Sequence, residues 1–444
     1  MTVFATAPVP TTVTPADVHE LLGQHLLVDG FDMVLDLAAS QGSRLVDARD
    51  GSSYLDLFTF FASSALGMNH RLLVDDPIFT ADLLEAARNK PSNSDVYTVA
   101  MARFVDTFAR VLGDPALPHL FFVEGGALAV ENALKVAFDW KSRLNESRGL
   151  DAEGGMVLHL REAFHGRSGY TLSLTNTDPV KVDRFPKFGW PRIPSPYLSS
   201  RADVAAREAE ALAAARAAFV QHPHQIACFV MEPIQGEGGD HHFRPEFLQG
   251  MQALCREFDA LFVLDEVQTG CGLTGTAWAY QQLGVQPDVV AFGKKTQVCG
   301  VMAGGRVDEV PDNVFRVSSR INSTWGGSLV DMVRARRVLE VVEAEQLIPR
   351  AATMGEHLLD LLGRLADRFD VVTDVRGRGL MCAFSLPSKE IRDAVLTSLR
   401  EDERVLLLGC GTRSIRFRPA LSVSESELAT GVAALDRVLE RHNQ

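Results

Sequence analysis

The chain has 444 residues, 46% of them hydrophobic, which is enough for a large core and two domains. Its formal net charge of -13 argues against nucleic acid or an anionic membrane as the main partner, though not against small anions held in a locally basic site. Six cysteines without a CxxC pair read as reduced thiols in a cytoplasmic protein, and no run of apolar residues is long enough to span a membrane.

Residues 1–13, rich in Pro, Thr and Ala, read as a loose arm that lacks the pattern of a secretory signal. Thr14 caps a helix with Pro15 at its first position, and ADVHELLGQHLL carries its periodic apolar face. Short strands flank the turn Arg49-Asp50-Gly51 between Ser43 and Phe61. Helical stretches run to Leu112. A strand at Leu120–Val123 then leads through Glu124-Gly125-Gly126 into an Ala-rich helix, and a strand at Met156–Leu160 leads into AFHGRSGY. The five prolines between residues 176 and 200 exclude a regular element and leave a long ordered loop near a site or a subunit contact. An Ala-rich helix over 201–220 feeds the central stretch.

That stretch holds three apolar runs, each reaching a charged residue. Ile226–Met231 ends at Glu232, Leu261–Leu264 ends at Asp265, and Val289–Phe292 reaches Gly293 and then Lys294. Continuous runs of this length suit strands of a parallel sheet buried on both faces. Ligands of open α/β sheets bind beyond the carboxyl ends of the strands, so a carboxylate and an amine meet in one crevice. A lysine to form a Schiff base and an acid to pair with a pyridine nitrogen point to pyridoxal 5'-phosphate. The lysine is Lys294 or Lys295, because the residues alone leave the doublet open. Asp265, after four apolar residues, is a costly buried charge unless a cationic ring offsets it. Gly125 and Gly126 let backbone N–H groups approach a phosphate at a helix start, and Ser323 and Thr324 in NSTWGG offer hydroxyls. Phe164 in AFHG could lie over the ring or, as an aromatic after a strand more often does, join the core.

After Gly327 two helices (329–346 and 349–368) precede strands at Val371–Val375, Met381–Leu386 and Ile415–Arg418. Ser424 and Glu427 box a last helix. The domains expected are an arm and completing segment (1–60), a large cofactor-binding domain (61–328) and a smaller α/β domain (329–444). Two look-alikes are set aside. Gly270–Gly275 matches GxGxxG, the basis of an alternative reading as a nicotinamide oxidoreductase, but no tight strand–loop–helix turn surrounds it. The adjacent His241 and His242 point apart, and no third metal ligand is spaced to join them.

FVMEPIQGEGG, FVLDEVQTGCGLTG, PDVVAFGK, STWGG and IRFRPAL together resemble the class III (ornithine/4-aminobutyrate-type) aminotransferases of fold type I, over nearly the whole chain. The resemblance implies an α/β fold, with a mostly parallel central sheet in the large domain. It implies Lys294 as the Schiff-base residue, Asp265 as pyridine partner, Gln268 against the ring hydroxyl, and Thr324 as a phosphate ligand lent by the second subunit of a homodimer. Two stretches depart from the family: the phosphate loop reads EGGALAVEN where NSGSEANE is usual, and KKTQVCGVMAGG replaces the KALGGG type. Within the family the likeness is greatest to members that transfer the ε-amino group of L-lysine to 2-oxoglutarate. It rests on SALGMN, AFHGRSGYTLSLTNT, FGKKTQVCGVMAG and the long run beginning NKPSNSDVYT. That likeness implies Arg167 for the donor's α-carboxylate and Arg416 for the acceptor's carboxylate. Glu237 would pair with Arg416, and Asn322 would touch substrate. An ornithine, 4-aminobutyrate or diaminobutyrate aminotransferase is the alternative within the family.

Overall fold

The computed structural model describes residues 13–199 and 203–442, so most of the expected arm lies outside it. A seven-stranded sheet runs in the order His119–Val123, Cys299–Ala303, Val289–Phe292, Leu261–Asp265, Ile226–Met231, Met156–Leu160, Arg192–Ile193. Only Cys299–Ala303 runs against its neighbours. The three central runs are buried at every position, and successive residues feed opposite faces. Phe229, Met231, Phe262, Leu264 and Phe292 enter one core, whereas Cys228, Val230, Val263, Val289 and Ala291 enter the other. This is why the sequence shows unbroken apolar runs where a half-exposed strand would alternate. The helix Gly126–Ser147 lies on the second face through Ala129, Ala133 and Ala137, whose small side chains permit close approach.

A four-stranded antiparallel sheet (Thr373–Arg378, Met381–Ser385, Ser414–Phe417, Leu408–Cys410) has a separate core. The expected N-terminal strands form as an antiparallel pair, Arg44–Val46 with Ser53–Asp56, and Val405–Leu406 adds in parallel to the second of them. The capping box is present, with Ser424 N and Oγ both donating to Glu427 Oε2 at 2.8 Å.

Three expectations are corrected. The first helix ends at Gly23 and buries no residue; Leu26 and Leu27 lie beyond it, exposed, because glycine weakens the last turn. The proline-rich loop does contain a strand, Arg192–Ile193, between Pro191 and Pro194. It is the edge strand of the large sheet, the one place where flanking prolines remove no ladder bond. The strand expected at Val371–Val375 starts instead at Thr373 and carries a register shift before Arg376, where Asp374 takes a left-handed φ of 50°. Among the described residues no helix is long and apolar enough to cross a membrane.

Candidate active site

Register brings the charged residues together. Met231 pairs with Leu264, and Asp265 pairs with Ala291, so Glu232, Asp265 and Lys294 leave the sheet along one carboxyl edge. They line a cavity of ≈ 280 Å³ with Gly126, Phe164, His165, Val267, Gln268 and Glu237. Gly125, at φ +100°, opens the helix that begins at Gly126 and turns its free N–H end to this cavity. Asp265 is 5% exposed. Its Oδ2 lies 2.8 Å from His165 Nδ1, and its Oδ1 accepts from Val267 N at 3.1 Å. Glu232 accepts from Phe164 N at 2.9 Å and Gly236 N at 3.1 Å. Burial, and then the Asp265 charge, push its carboxyl well above the ordinary range.

The lysine doublet splits. Lys294 is partly open and lines the cavity, with its backbone held at φ 54°. Burial, with Arg416 and Arg418 nearby, lowers its ammonium to about 8, against the opposing pull of Asp265 and Glu232. Lys295 is buried and faces away, and its Nζ donates to Ala62 O at 3.2 Å and Ser64 O at 3.1 Å. The turn it holds is unusual. Thr59, Phe60, Phe61 and Ala62 are consecutive non-glycine residues with φ of 42–69°. Left-handed residues normally occur singly, so this turn persists only where its surroundings fix it.

Two arginines follow one another along the Ser414–Phe417 strand and its end. Arg416 is buried at 3% exposure and meets Glu237 at 2.8 Å through Nη2, while Nε and Nη1 have no partner among the described residues. The other Glu237 oxygen, Oε1, accepts from Lys181 Nζ. Burial alone would raise the Glu237 carboxyl, but Arg416 and Lys181 outweigh it and hold it below its usual value. Arg418 donates to both Asp240 oxygens and, through Nε and Nη2, to Gln268 Oε1 at 3.1 and 2.9 Å. The Gln268 carbonyl is therefore committed, and its amide N–H₂ is the group left for a ligand.

This site has an acid at one end, an open helix start at another, and a lysine of depressed basicity on its wall. Those are the elements a phosphorylated pyridine aldehyde requires, and the residues present fit it. The family model described as aminotransferase class-III matches residues 28–439. The chain belongs to the class-III aminotransferases. The L-lysine-epsilon aminotransferase of Mycobacterium tuberculosis is 67% identical to this aminotransferase over 431 residues, 96% of each chain. That of Amycolatopsis lactamdurans is 62% identical over 438 residues, 97% of each. The solved structure of lysine aminotransferase from M. tuberculosis in the internal aldimine form superposes with a TM-score of 0.95 at 66% identity, over 97% of this chain and all of that one. The fold is accordingly that of the fold type I transferases.

Other residues of the aminotransferase expected at the site stand apart from the cavity in a single chain. Arg167 is exposed and makes no ion pair among the described residues. Asn322 and Thr324 are exposed, on a loop anchored by Asn93 Nδ2 donating to Gly327 O at 2.8 Å and by Ser94 Oγ donating to Ser323 O. Gly270–Gly275 is a packing loop: a Cβ on Gly270 would lie 2.4 Å from Trp278, and one on Gly275 would lie 2.8 Å from Ala352. His241 stacks on Tyr197 and His242 is buried, so the pair is divided.

Sequence reasoning missed His165, Lys181 and the Arg418–Asp240 pair. His165 could have been found, since AFHG follows a strand ending at the same edge. Lys181 carries no local signal, because it sits among prolines. Asp240 and Arg418 are 0% and 1% exposed, respectively. Removing one partner of a buried pair leaves the other charge uncompensated. Asp240→Ala is therefore expected to lower stability by about 3–5 kcal/mol, read as a fall in the midpoint of denaturant unfolding. An unchanged midpoint would show that the pair holds nothing together.

Proposed function

We propose that this aminotransferase moves the ε-amino group of L-lysine to 2-oxoglutarate on bound pyridoxal 5'-phosphate. The products are L-2-aminoadipate 6-semialdehyde, which cyclises to piperideine-6-carboxylate, and L-glutamate. The observation that carries this reading is the near full-length likeness to L-lysine-epsilon aminotransferases. When bound, the cofactor supplies an aldehyde that exchanges amines and a ring that withdraws electrons from the reacting carbon.

The chain's own residues do the rest. Backbone N–H groups at Gly125 and Gly126 bind the phosphate, Phe164 and Val267 wall the ring, and the Gln268 amide meets its hydroxyl. Asp265 holds the ring nitrogen's proton, and His165 Nδ1 fixes the carboxylate's direction. Lys294 Nζ takes the proton from the ε-carbon of lysine and returns it on the other side of the exchange. Arg167, which makes no ion pair among the described residues, takes the donor's α-carboxylate. Thr324 and Asn322 serve the site of a second copy, so the working unit is a homodimer. Free thiols at all six cysteines suit a cytoplasmic enzyme. A division at residues 60 and 328 belongs to this reading, supported by the separate core under the four-stranded sheet.

One site must accept two acids. Glu237 masks Arg416 while the apolar stem of lysine lies beside it, then leaves when 2-oxoglutarate offers a carboxylate. Glu237→Ala is expected to slow the lysine half-reaction about tenfold more than the 2-oxoglutarate half, since the exposed charge then faces methylene groups. Single-turnover absorbance measures each half, and equal losses would remove the switch. Incubation with L-lysine and 2-oxoglutarate, with the products identified by mass spectrometry, tests the whole assignment.

A further inference from the structure

We propose that Lys181 is the resting place of Glu237 when that side chain leaves Arg416, which makes Lys181 a positioning residue for acceptor binding. The inference rests on the two-acid reading above, but its evidence is separate. Glu237 divides its oxygens, with Oε2 on Arg416 Nη2 at 2.8 Å and Oε1 on Lys181 Nζ. A guanidinium offers a carboxylate two forks, Nε with Nη2 or Nη1 with Nη2, and both use Nη2. Nη2 carries two N–H bonds, so Glu237 fills one fork and leaves the other. An acceptor held there by Nη2 with Nε or Nη1, which have no partner among the described residues, would lie beside the Glu237 carboxylate on the same guanidinium. Repulsion between the two carboxylates drives Glu237 off Nη2, and it leaves with only 26% of its side chain exposed. Without a second partner it would become a poorly solvated anion in the wall of the cavity.

Lys181 supplies that partner. It ends the turn Pro179–Lys181, which Asp178 caps by accepting from Val180 N at 3.0 Å, so its backbone is fixed. Its Nζ also lies 5.6 Å from the centroid of Phe164, the aromatic wall of the cavity. The ammonium thus holds the Glu237 oxygen that Arg416 does not. Rotation about the Glu237 side chain can break one contact and keep the other. Lys181 has no equivalent task when lysine is bound, because Glu237 then remains on Arg416.

The test uses the holoenzyme and follows each half-reaction by single-turnover absorbance. Lys181→Met is expected to weaken 2-oxoglutarate binding about tenfold. The limiting rate of that half should not change, and the lysine half should stay within about twofold. Lys181→Arg should restore binding, and Lys181→Gln should behave like the methionine variant. In a Glu237→Ala background Lys181→Met should have no further effect, since there is no carboxylate left to hold. Equal losses in both halves, or a tenfold loss that persists without Glu237, would overturn the role. A selective Glu237→Ala beside a non-selective Lys181→Met would sink this inference alone. A non-selective Glu237→Ala would sink the switch as well.

Discussion

Lys294→Ala is expected to reduce turnover by about 10⁴-fold or more, since both the covalent attachment and the proton carrier disappear. Lys295→Met should keep turnover within about tenfold, because its amine is committed to the carbonyls of Ala62 and Ser64 and lies away from the cavity. The damage there should appear as lost stability around the left-handed turn. Borohydride reduction followed by peptide mass spectrometry separates the two, with a cofactor adduct on residue 294 in wild type and in Lys295→Met, and none in Lys294→Ala. The same lysine sets a pH dependence. An ammonium cannot attack an aldehyde, and burial beside two arginines lowers Lys294 to about 8. Capture of pyridoxal phosphate by the apoprotein should therefore be slow in acid and rise to a plateau above about pH 8. A midpoint near the ordinary lysine value would show that the pocket does not tune this amine. An adduct on residue 295 would move the chemistry to the neighbouring side chain.

Asp265→Asn should be nearly as damaging. A carboxylate about 4 Å from a protonated ring nitrogen is worth roughly 4 kcal/mol at an effective dielectric near 20, which corresponds to about 10³-fold in rate. Asparagine keeps the size of the side chain and loses the charge. The His165 contact at 2.8 Å is then made to a neutral oxygen or refused by an N–H₂, so the group is misdirected as well as discharged. The readout is turnover with the natural cofactor compared with an analogue methylated at the ring nitrogen, which is cationic without help. Partial recovery with the analogue assigns the loss to charge. A large loss that the analogue leaves untouched would mean that Asp265 serves the fold, through Val267 N and His165, and not the ring.

Five of the seven strands of the large sheet were legible in the sequence to within a residue or two. Ile226–Met231, Leu261–Asp265 and Val289–Phe292 are buried on both faces, and burial on both faces imposes unbroken apolar runs. The charged residues ending those runs were legible for the same reason, because a charge after a buried strand stands out. The short helix stopping at Gly23 and the strands Arg192–Ile193 and Cys299–Ala303 were not legible. The helix stops where Gly23 weakens its last turn and nothing packs on its apolar face, and each strand depends on pairing with residues far off in the chain.

Composition, motifs and strand pattern by themselves determined the α/β architecture, the aminotransferase family, and the placing of an acid and a lysine doublet at one sheet edge. Each of these is encoded in residues close together, where chain geometry alone relates them. Only the tertiary structure decided which lysine of the doublet opens to the cavity, that His165 directs Asp265, that Arg418 occupies the carbonyl of Gln268, and that Glu237 stands between two cations. Glu237 is 56 positions from Lys181 and 179 from Arg416. No local preference relates residues at such distances. Their meeting follows from sheet register, from the turn that carries Lys181, and from the packing of one sheet's strand ends against another's.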